Sequence, residues 1–226
     1  MKRLFGLAIL ALLGSCAREP EPAPGAPATD LPRAFYEQAL KEGKAVYRVD
    51  PKQSLVVVEV RRGGSLSRFG HDHVVSARNV EGFVAPEAGR ADLRVVLDGL
   101  AVDEPELRKA AGLDTQPSES DIAGTRANML ERVLETGRFP QALIHIDRAP
   151  ATDAIAVTLT LHGVTRVLDT PAALRVDQER TEATGRLEFN QSDFGITPFS
   201  ILGGAIAVQD RLVLSFTVRA QREAAH

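Results

Sequence analysis

Period-2 alternation of apolar and polar positions recurs from residue 45 to residue 220 and predicts a chain made mainly of half-buried strands. Ala45 to Val49 is short and apolar. Ser54 to Arg62 places Val56, Val58 and Val60 on one face, and Gly63-Gly64 follows as a turn. Asn79 to Val84 and Ala91 to Leu97 come next, the second alternating through Leu93, Val95 and Leu97. Ala142 to Arg148 alternates around Ile144 and Ile146. Ile155 to Leu161 sets Ile155, Val157, Leu159 and Leu161 against Ala156, Thr158 and Thr160. Ala183 to Asn190 aligns Ala183, Gly185, Leu187 and Phe189, and Arg211 to Ala220 aligns Leu212, Leu214, Phe216 and Val218. Such segments form sheets with one buried face.

Helical spacing interrupts this twice. AFYEQALKEG within Leu31 to Lys44 predicts a short helix ended by Gly43. Between Asp103 and Gly137, Glu104 to Ala111 is a candidate short helix. Ser120 to Thr136 is a longer one, with Ile122, Met129, Leu130, Val133 and Leu134 near helical spacing. Gly137 suits its C-terminal cap, and Pro140 prevents continuation. A helical excursion between two runs of strands fits an all-β barrel with helices over one end.

The first residues read differently. Lys2 and Arg3 precede the apolar run Leu4 to Leu13, which is too short for a bilayer span of about 20 residues. A basic start, a short apolar core and small residues before a cut describe an export signal. Leu13-Gly14-Ser15-Cys16 resembles the bacterial lipobox, whose cysteine sulfur receives a diacylglyceryl group before cleavage. Cys16 is the only cysteine, so no internal disulfide can form, and lipidation leaves no free thiol. The expectation is a signal peptide over 1–15 and a chain anchored through Cys16 to a membrane facing the periplasm. Ala17 rather than Asp after the cysteine favours the outer membrane, by resemblance to enterobacterial sorting. Ala17 to Asp30 is rich in Pro, Ala and Glu and reads as an extended tether, giving residues 16–44 to tether and short helix and 45–221 to the barrel.

Composition excludes some functions. Net charge is -3, so there is no basic footprint for nucleic acid. Tryptophan is absent and aromatics make up 5% of the chain, so Val, Leu, Ile, Ala and Phe must build the core.

Four segments carry a family resemblance: Tyr47-Arg48-Val49-Asp50 with Ser54; Arg126 to Leu134 followed by Arg138-Phe139-Pro140; Leu159-Thr160-Leu161-His162-Gly163-Val164-Thr165-Arg166; and Ser192-Asp193-Phe194-Gly195-Ile196. Together they resemble the YceI-like family of polyisoprenoid-binding periplasmic proteins, over about Val46 to Arg219. The resemblance implies a lipocalin-like extended antiparallel β-barrel whose tunnel holds an isoprenoid or quinone-like molecule. The candidate wall is Val56, Val58, Val60, Val157, Leu159, Leu187, Phe189, Leu214 and Phe216. A barrel of about eight strands can hold one ligand or fill with its own side chains, so a packed core of purely structural role remains the alternative.

Phe69-Gly70-His71-Asp72-His73 departs from the commonest family form. In an extended segment His71 and His73 share a face and Asp72 takes the other. Such a pair can hydrogen-bond a ligand head group at the barrel mouth. It can also offer two imidazoles to zinc, copper or iron, if His145, His162 or carboxylates converge on it. A metal-dependent or redox-linked periplasmic enzyme is therefore the rival reading. His145 opposes the Ile144/Ile146 face and His162 precedes a likely turn at Gly163, so convergence is not expected. No serine or cysteine nucleophile has a recognisable setting. Arg126 is a candidate for placing a guanidinium beside the mouth, against the blander reading of a structural ion pair. Gly203-Gly204 marks a flexible turn. No cofactor is expected beyond the lipophilic ligand itself.

Overall fold

The alternating segments become strands: β1 (Tyr47–Val49), β2 (Leu55–Val60), β3 (Arg62–Gly63), β4 (His73–Ala77), β5 (Val80–Ala85), β6 (Arg90–Val96), β7 (Ala101–Val102), β8 (Gln141–Asp147), β9 (Ala154–Leu161), β10 (Val164–Val176), β11 (Arg180–Asn190), β12 (Ser200–Ile201), β13 (Ile206–Val208) and β14 (Arg211–Arg222). The helices are α1 (Arg33–Lys41), α2 (Pro105–Ala110) and α3 (Glu119–Asn128). This computed structural model describes residues 30–113, 115–147 and 154–224. The signal, Cys16 and the tether up to residue 29 lie outside the described residues.

Three successive barrel strands are each broken once. β1 and β2 lie end to end along β14, with Tyr47 opposite Arg222 and Val58 opposite Leu214. β5 and β4 line up beside them, with Tyr47 opposite Val84 and Val58 opposite Val75. β6 and β7 continue the pattern, with Val80 opposite Val95 and Val75 opposite Val102. β8, β9, β10, β11 and β14 complete the circuit, every pairing antiparallel, and β14 meets β1 to close it. The result is a closed eight-stranded antiparallel barrel that runs up and down in chain order. Closure removes free sheet edges except at the short β7, which pairs only with β4, and between β10 and β11. β10 pairs with β11 only from Ala172 to Val176, so the ladder stops at Pro171. Proline cannot donate to a ladder, which fits its place at that end.

One end of the barrel, here the upper end, carries the additions. A second small sheet, β12-β13-β3, lies across it, and the 3₁₀ turns Ser67–Phe69 and Gln191–Phe194 flank it. α3 starts with a capping box between Ser118 and Asp121 and runs directly into a π-helical turn, Met129–Val133. The left-handed residue that ends this helical segment is Glu135 (φ 46°), not the expected Gly137. At the side of the barrel, α1 buries Tyr36 and Ala39 against Val46, Phe83 and Ala85.

The short β7, β12 and β13 lie outside the alternating segments, β3 takes in Gly63 where the sequence predicts a turn, and two longer strands lack a readable alternation. β4 is buried along nearly its whole length, cavity on one face and α2 on the other. β10 contains Pro171, which argues against a strand.

Candidate functional site

The inward faces of the strands do not meet. They enclose a cavity of about 470 Å³, within the range of about 300–1,000 Å³ usual for small-molecule sites. Thr181 and Phe189, eight residues apart on β11, both line it. That is about 27 Å along the strand and roughly 20 Å along the axis at a tilt near 40°. Spread over that length the cavity is a narrow channel.

All nine candidate wall residues line it: Val56, Val58, Val60, Val157, Leu159, Leu187, Phe189, Leu214 and Phe216. Their alternation in sequence is what aims them inward. Gly185 shares their face but contributes no wall. A Cβ there would lie 2.6 Å from the ring of its cross-strand partner Phe216 and 2.9 Å from the Pro171 carbonyl. The bare glycine gives the Phe216 ring its seat.

Polar groups gather at the two ends. Arg90 and Thr181 lie at the lower end; Arg62, His71, His73, Thr125, Asn128 and Gln191 lie at the upper end. The extended segment places His71 and His73 as expected, their ring centroids 6.1 Å apart, with Asp72 turned away. Asp72 accepts the Arg62 backbone N–H at 2.8 Å and lies 3.6 Å from the Arg61 guanidinium.

His73 is held from behind. Its Nδ1 lies 2.6 Å from Asp103 Oδ2, and the Val74 N–H and Arg108 Nη1 bind the other carboxylate oxygen at 3.0 and 2.6 Å. The Asp103 side chain is wholly buried, and that of Arg108 is 4% exposed. Burial pushes the Asp103 carboxyl up, but hydrogen bonds from His73, Val74 and Arg108 outweigh it and hold the group below the usual carboxylate range. Arg108 also donates to the carbonyls of Asp72 and Thr115 and to the Thr115 hydroxyl. Asp103 sits at φ 59°, a conformation Asp tolerates better than most residues. Neither Asp103 nor Arg108 could be picked out from the sequence, because each lies in a short loop or helix with no periodic signal. Arg62 and Arg90 sit at the ends of strands, where the sequence pattern does not show which side chains reach the channel.

Arg126 is the correction. It is not among the cavity-lining residues and forms no ion pair among the described residues; Nε donates to the Leu100 carbonyl at 3.0 Å and Nη2 to the Asp98 carbonyl at 2.5 Å. It pins α3 to the chain between β6 and β7, and its neighbour Thr125 faces the channel instead.

His145 and His162 stay apart from the pair. His145 lies on the outer face of β8, with Nδ1 2.7 Å from Asp92 and Nε2 2.8 Å from Asp147. Burial lowers its affinity for a proton, but the two carboxylates prevail and raise its pKa. Asp92 in turn accepts from Tyr36 of α1 at 2.6 Å and from Arg90 at 2.8 Å. Burial, reinforced by Asp92, drives the Tyr36 hydroxyl far above its usual range. His162 occupies the β9–β10 turn at φ 52°, its ring centroid 4.3 Å from that of Phe139 and its Nε2 3.4 Å from Glu135. Among the described residues no group of three His, Cys, Asp or Glu side chains is placed to hold a metal ion. The partners that the metal-dependent reading requires are therefore not assembled around His71 and His73.

The YceI-like domain profile matches residues 47–220. The chain belongs to the YceI-like family. The match falls inside the barrel. Among solved structures, a polyisoprenoid binding domain from Saccharophagus degradans, implicated in plant cell wall breakdown, covers 80% of this chain and all of its own length at 16% identity and a TM-score of 0.57. BcnA of Burkholderia cenocepacia covers 76% of this chain and 99% of its own at 14% identity and a TM-score of 0.53. At these identities the likeness is one of fold. No curated protein matches the chain.

The YceI-like segments are mainly architectural. Tyr47 donates to the Asp177 carbonyl, tying β1 to the turn after β10. Ser54 and Arg219 exchange hydrogen bonds across β14. Phe194 and Ile196 are buried around Gly195, whose φ of 70° favours glycine.

Proposed function

We propose that this YceI-like protein is a membrane-tethered carrier that encloses an isoprenoid or quinone-like molecule in its barrel, facing the periplasm from a lipid anchor on Cys16. The observation that carries the reading is the channel itself: about 470 Å³ of space with an apolar wall along its length and polar groups only at its ends. A long hydrocarbon chain gains about 25 cal/mol per Å² of apolar surface removed from water, offset by the cost of ordering it. The end groups suit a polar head, with His71 and His73 as the candidate contacts. The Saccharophagus degradans neighbour, a polyisoprenoid binding domain, supports the ligand class. The family is one of binding proteins rather than enzymes, and the chemistry is encapsulation without turnover. The lipobox-like segment supports the anchor, and Ala17 after the cysteine supports the outer membrane as its location.

Native mass spectrometry of protein from its own host tests the carrier reading. The wild type is expected to retain a lipophilic adduct. Val157→Trp and Val58→Trp should expel it while far-UV circular dichroism stays β-like, and His71→Ala should weaken it less. Absence of any adduct on the wild type, with no uptake of an added prenyl probe, would leave the barrel a structural envelope protein. For the anchor, Cys16→Ala should release the protein from membrane fractions. Wild-type protein that is already soluble and unacylated would refute the tether.

A further inference from the structure

The chain is uncharged from Phe194 to Val208, fifteen residues in a protein whose composition is 25% charged. The segment forms the β12–β13 hairpin at the upper end of the barrel. Its inner side lines the channel with Phe199 and Ile206, while Ile201 and Leu202 at its tip point outward, 44% and 70% exposed. The loop after β3 packs on the same hairpin, with the Leu66 N–H donating to the Ala205 carbonyl at 2.8 Å. It presents Phe69, 62% exposed. Three of the six large hydrophobic side chains exposed among the described residues therefore lie together at the end of the channel where His71 and His73 sit.

Two cations border this tip. The Arg68 guanidinium lies 4.6 Å from the centroid of the Phe69 ring, and that of Arg132 lies 5.2 Å from that of Phe199. Other arginines around the channel's upper end are engaged elsewhere: Arg61 with Glu59, Arg62 with Asp72 and Arg108 with Asp103 in ion pairs, and Arg126 with the Asp98 and Leu100 carbonyls. Arg68 and Arg132 form no ion pair among the described residues. Apolar side chains in front with free cations beside them match the layering of a bilayer surface, where acyl chains lie beneath anionic phosphates. The hairpin is also lightly held, with two residue pairs to β3 and two between its own strands, and its tip turns through Leu202 and Gly203 at φ 51° and 65°.

We infer that this tip docks onto a lipid bilayer, inserting Phe69, Ile201 and Leu202 among the headgroups so that the upper end of the channel opens against the membrane. The inference draws on the carrier reading for the reason to visit a bilayer. The tryptophan arm of its test involves no ligand, so the two can fail separately.

The chain has no tryptophan, so a single introduced one reports its own surroundings. Full-length protein carrying Leu202→Trp, Phe69→Trp or Val176→Trp would be placed on phosphatidylethanolamine/phosphatidylglycerol vesicles with and without brominated acyl chains. Val176, 48% exposed at the lower end, is the control. Leu202→Trp and Phe69→Trp should shift to the blue and be quenched about twofold or more, as expected for side chains about 5–10 Å into the interface. Val176→Trp should do neither. In parallel, the Ile201→Ser/Leu202→Ser double variant of the otherwise native chain should lower, about tenfold or more, the rate at which a fluorescent prenyl probe moves from vesicles into the barrel. Tip reporters that stay solvent-like and unquenched would overturn the inference. So would a blue shift that appears without vesicles and grows with protein concentration, which would assign the tip to a second copy of this chain.

Discussion

Asp103→Asn is the sharpest probe of how the upper end of the channel is held. The substitution keeps the size of the side chain and the tolerance for φ 59°, but removes the charge facing Arg108. The guanidinium keeps the oxygens of Asp72 and Thr115, so its hydrogen bonds survive in part while its charge is left buried and uncompensated. Breaking a buried pair in this way costs about 3–5 kcal/mol. For a domain of this size each kcal/mol lowers Tm by about 2–4 °C, so a loss of about 6–20 °C is expected. Asp103→Ala should lose about 1–2 kcal/mol more, the cost of a left-handed backbone without Asp or Asn. Asp103→Asn combined with Arg108→Met should recover most of the loss, because an apolar pair of similar volume can replace a buried ion pair. Thermal unfolding followed by far-UV circular dichroism at pH 7 reads all three. The pH dependence has a fixed sign. The folded pKa is depressed, so the stabilisation is present above the unfolded value near 3.9 and is lost as pH falls through the folded value. The gap between wild type and Asp103→Asn should therefore be present at pH 7 and close in strong acid. A Tm change below about 3 °C for Asp103→Asn would show that carbonyl and hydroxyl oxygens alone satisfy Arg108, and the reasoning would fail.

Gly185→Val should cost about 1–3 kcal/mol through collision with the Phe216 ring, and pairing it with Phe216→Ala should restore part of the loss in a denaturant titration. His145 has a raised folded pKa, so its contribution is complete below the unfolded value near 6.5 and is lost as pH rises through the folded value. Wild type should lose stability between pH 6 and 9 by more than His145→Gln does; equal losses would show that the Asp92–His145–Asp147 contacts do not contribute. Elemental analysis after chelator-free purification should find no stoichiometric zinc, copper or iron. One equivalent of metal that disappears in His71→Ala would revive the metal-dependent reading.

The barrel was readable wherever one strand face meets the channel and the other meets water, because that arrangement forces alternation. Val56, Val58 and Val60 on β2 and Leu212 to Val218 on β14 are such cases. β4 escaped because α2 and Arg108 cover the face that water would otherwise wet, and burial on both sides erases the period. β10 escaped because Pro171 reads as a strand breaker, although it sits where one ladder ends. At the site, His71 and His73 stood out by residue type and spacing. Asp103 did not, because it acts through a contact thirty residues away in the chain. Arg126 was misassigned for a related reason: sequence places a guanidinium on a helix but not the backbone carbonyls that will claim it.

The interrupted ladder at Pro171 bears on how much the barrel can give. Along the other long strands its girth is set by hydrogen-bonded neighbours, and widening it would mean breaking backbone bonds. Between Val164–Thr170 and the upper half of β11 no such ladder exists, and a cleft there is lined by Val167, Leu168 and Pro171 on one side and Arg186, Leu187 and Glu188 on the other. Leu187 lines both this cleft and the channel. Expansion along this line costs side-chain contacts alone, so the barrel carries a pleat that can let out for a thicker occupant while its other seams stay sewn. The same unpaired strand would attract another extended segment if it were plain, and the exposed Arg166, Asp169, Arg186 and Glu188 along its borders are the charges that discourage such a graft.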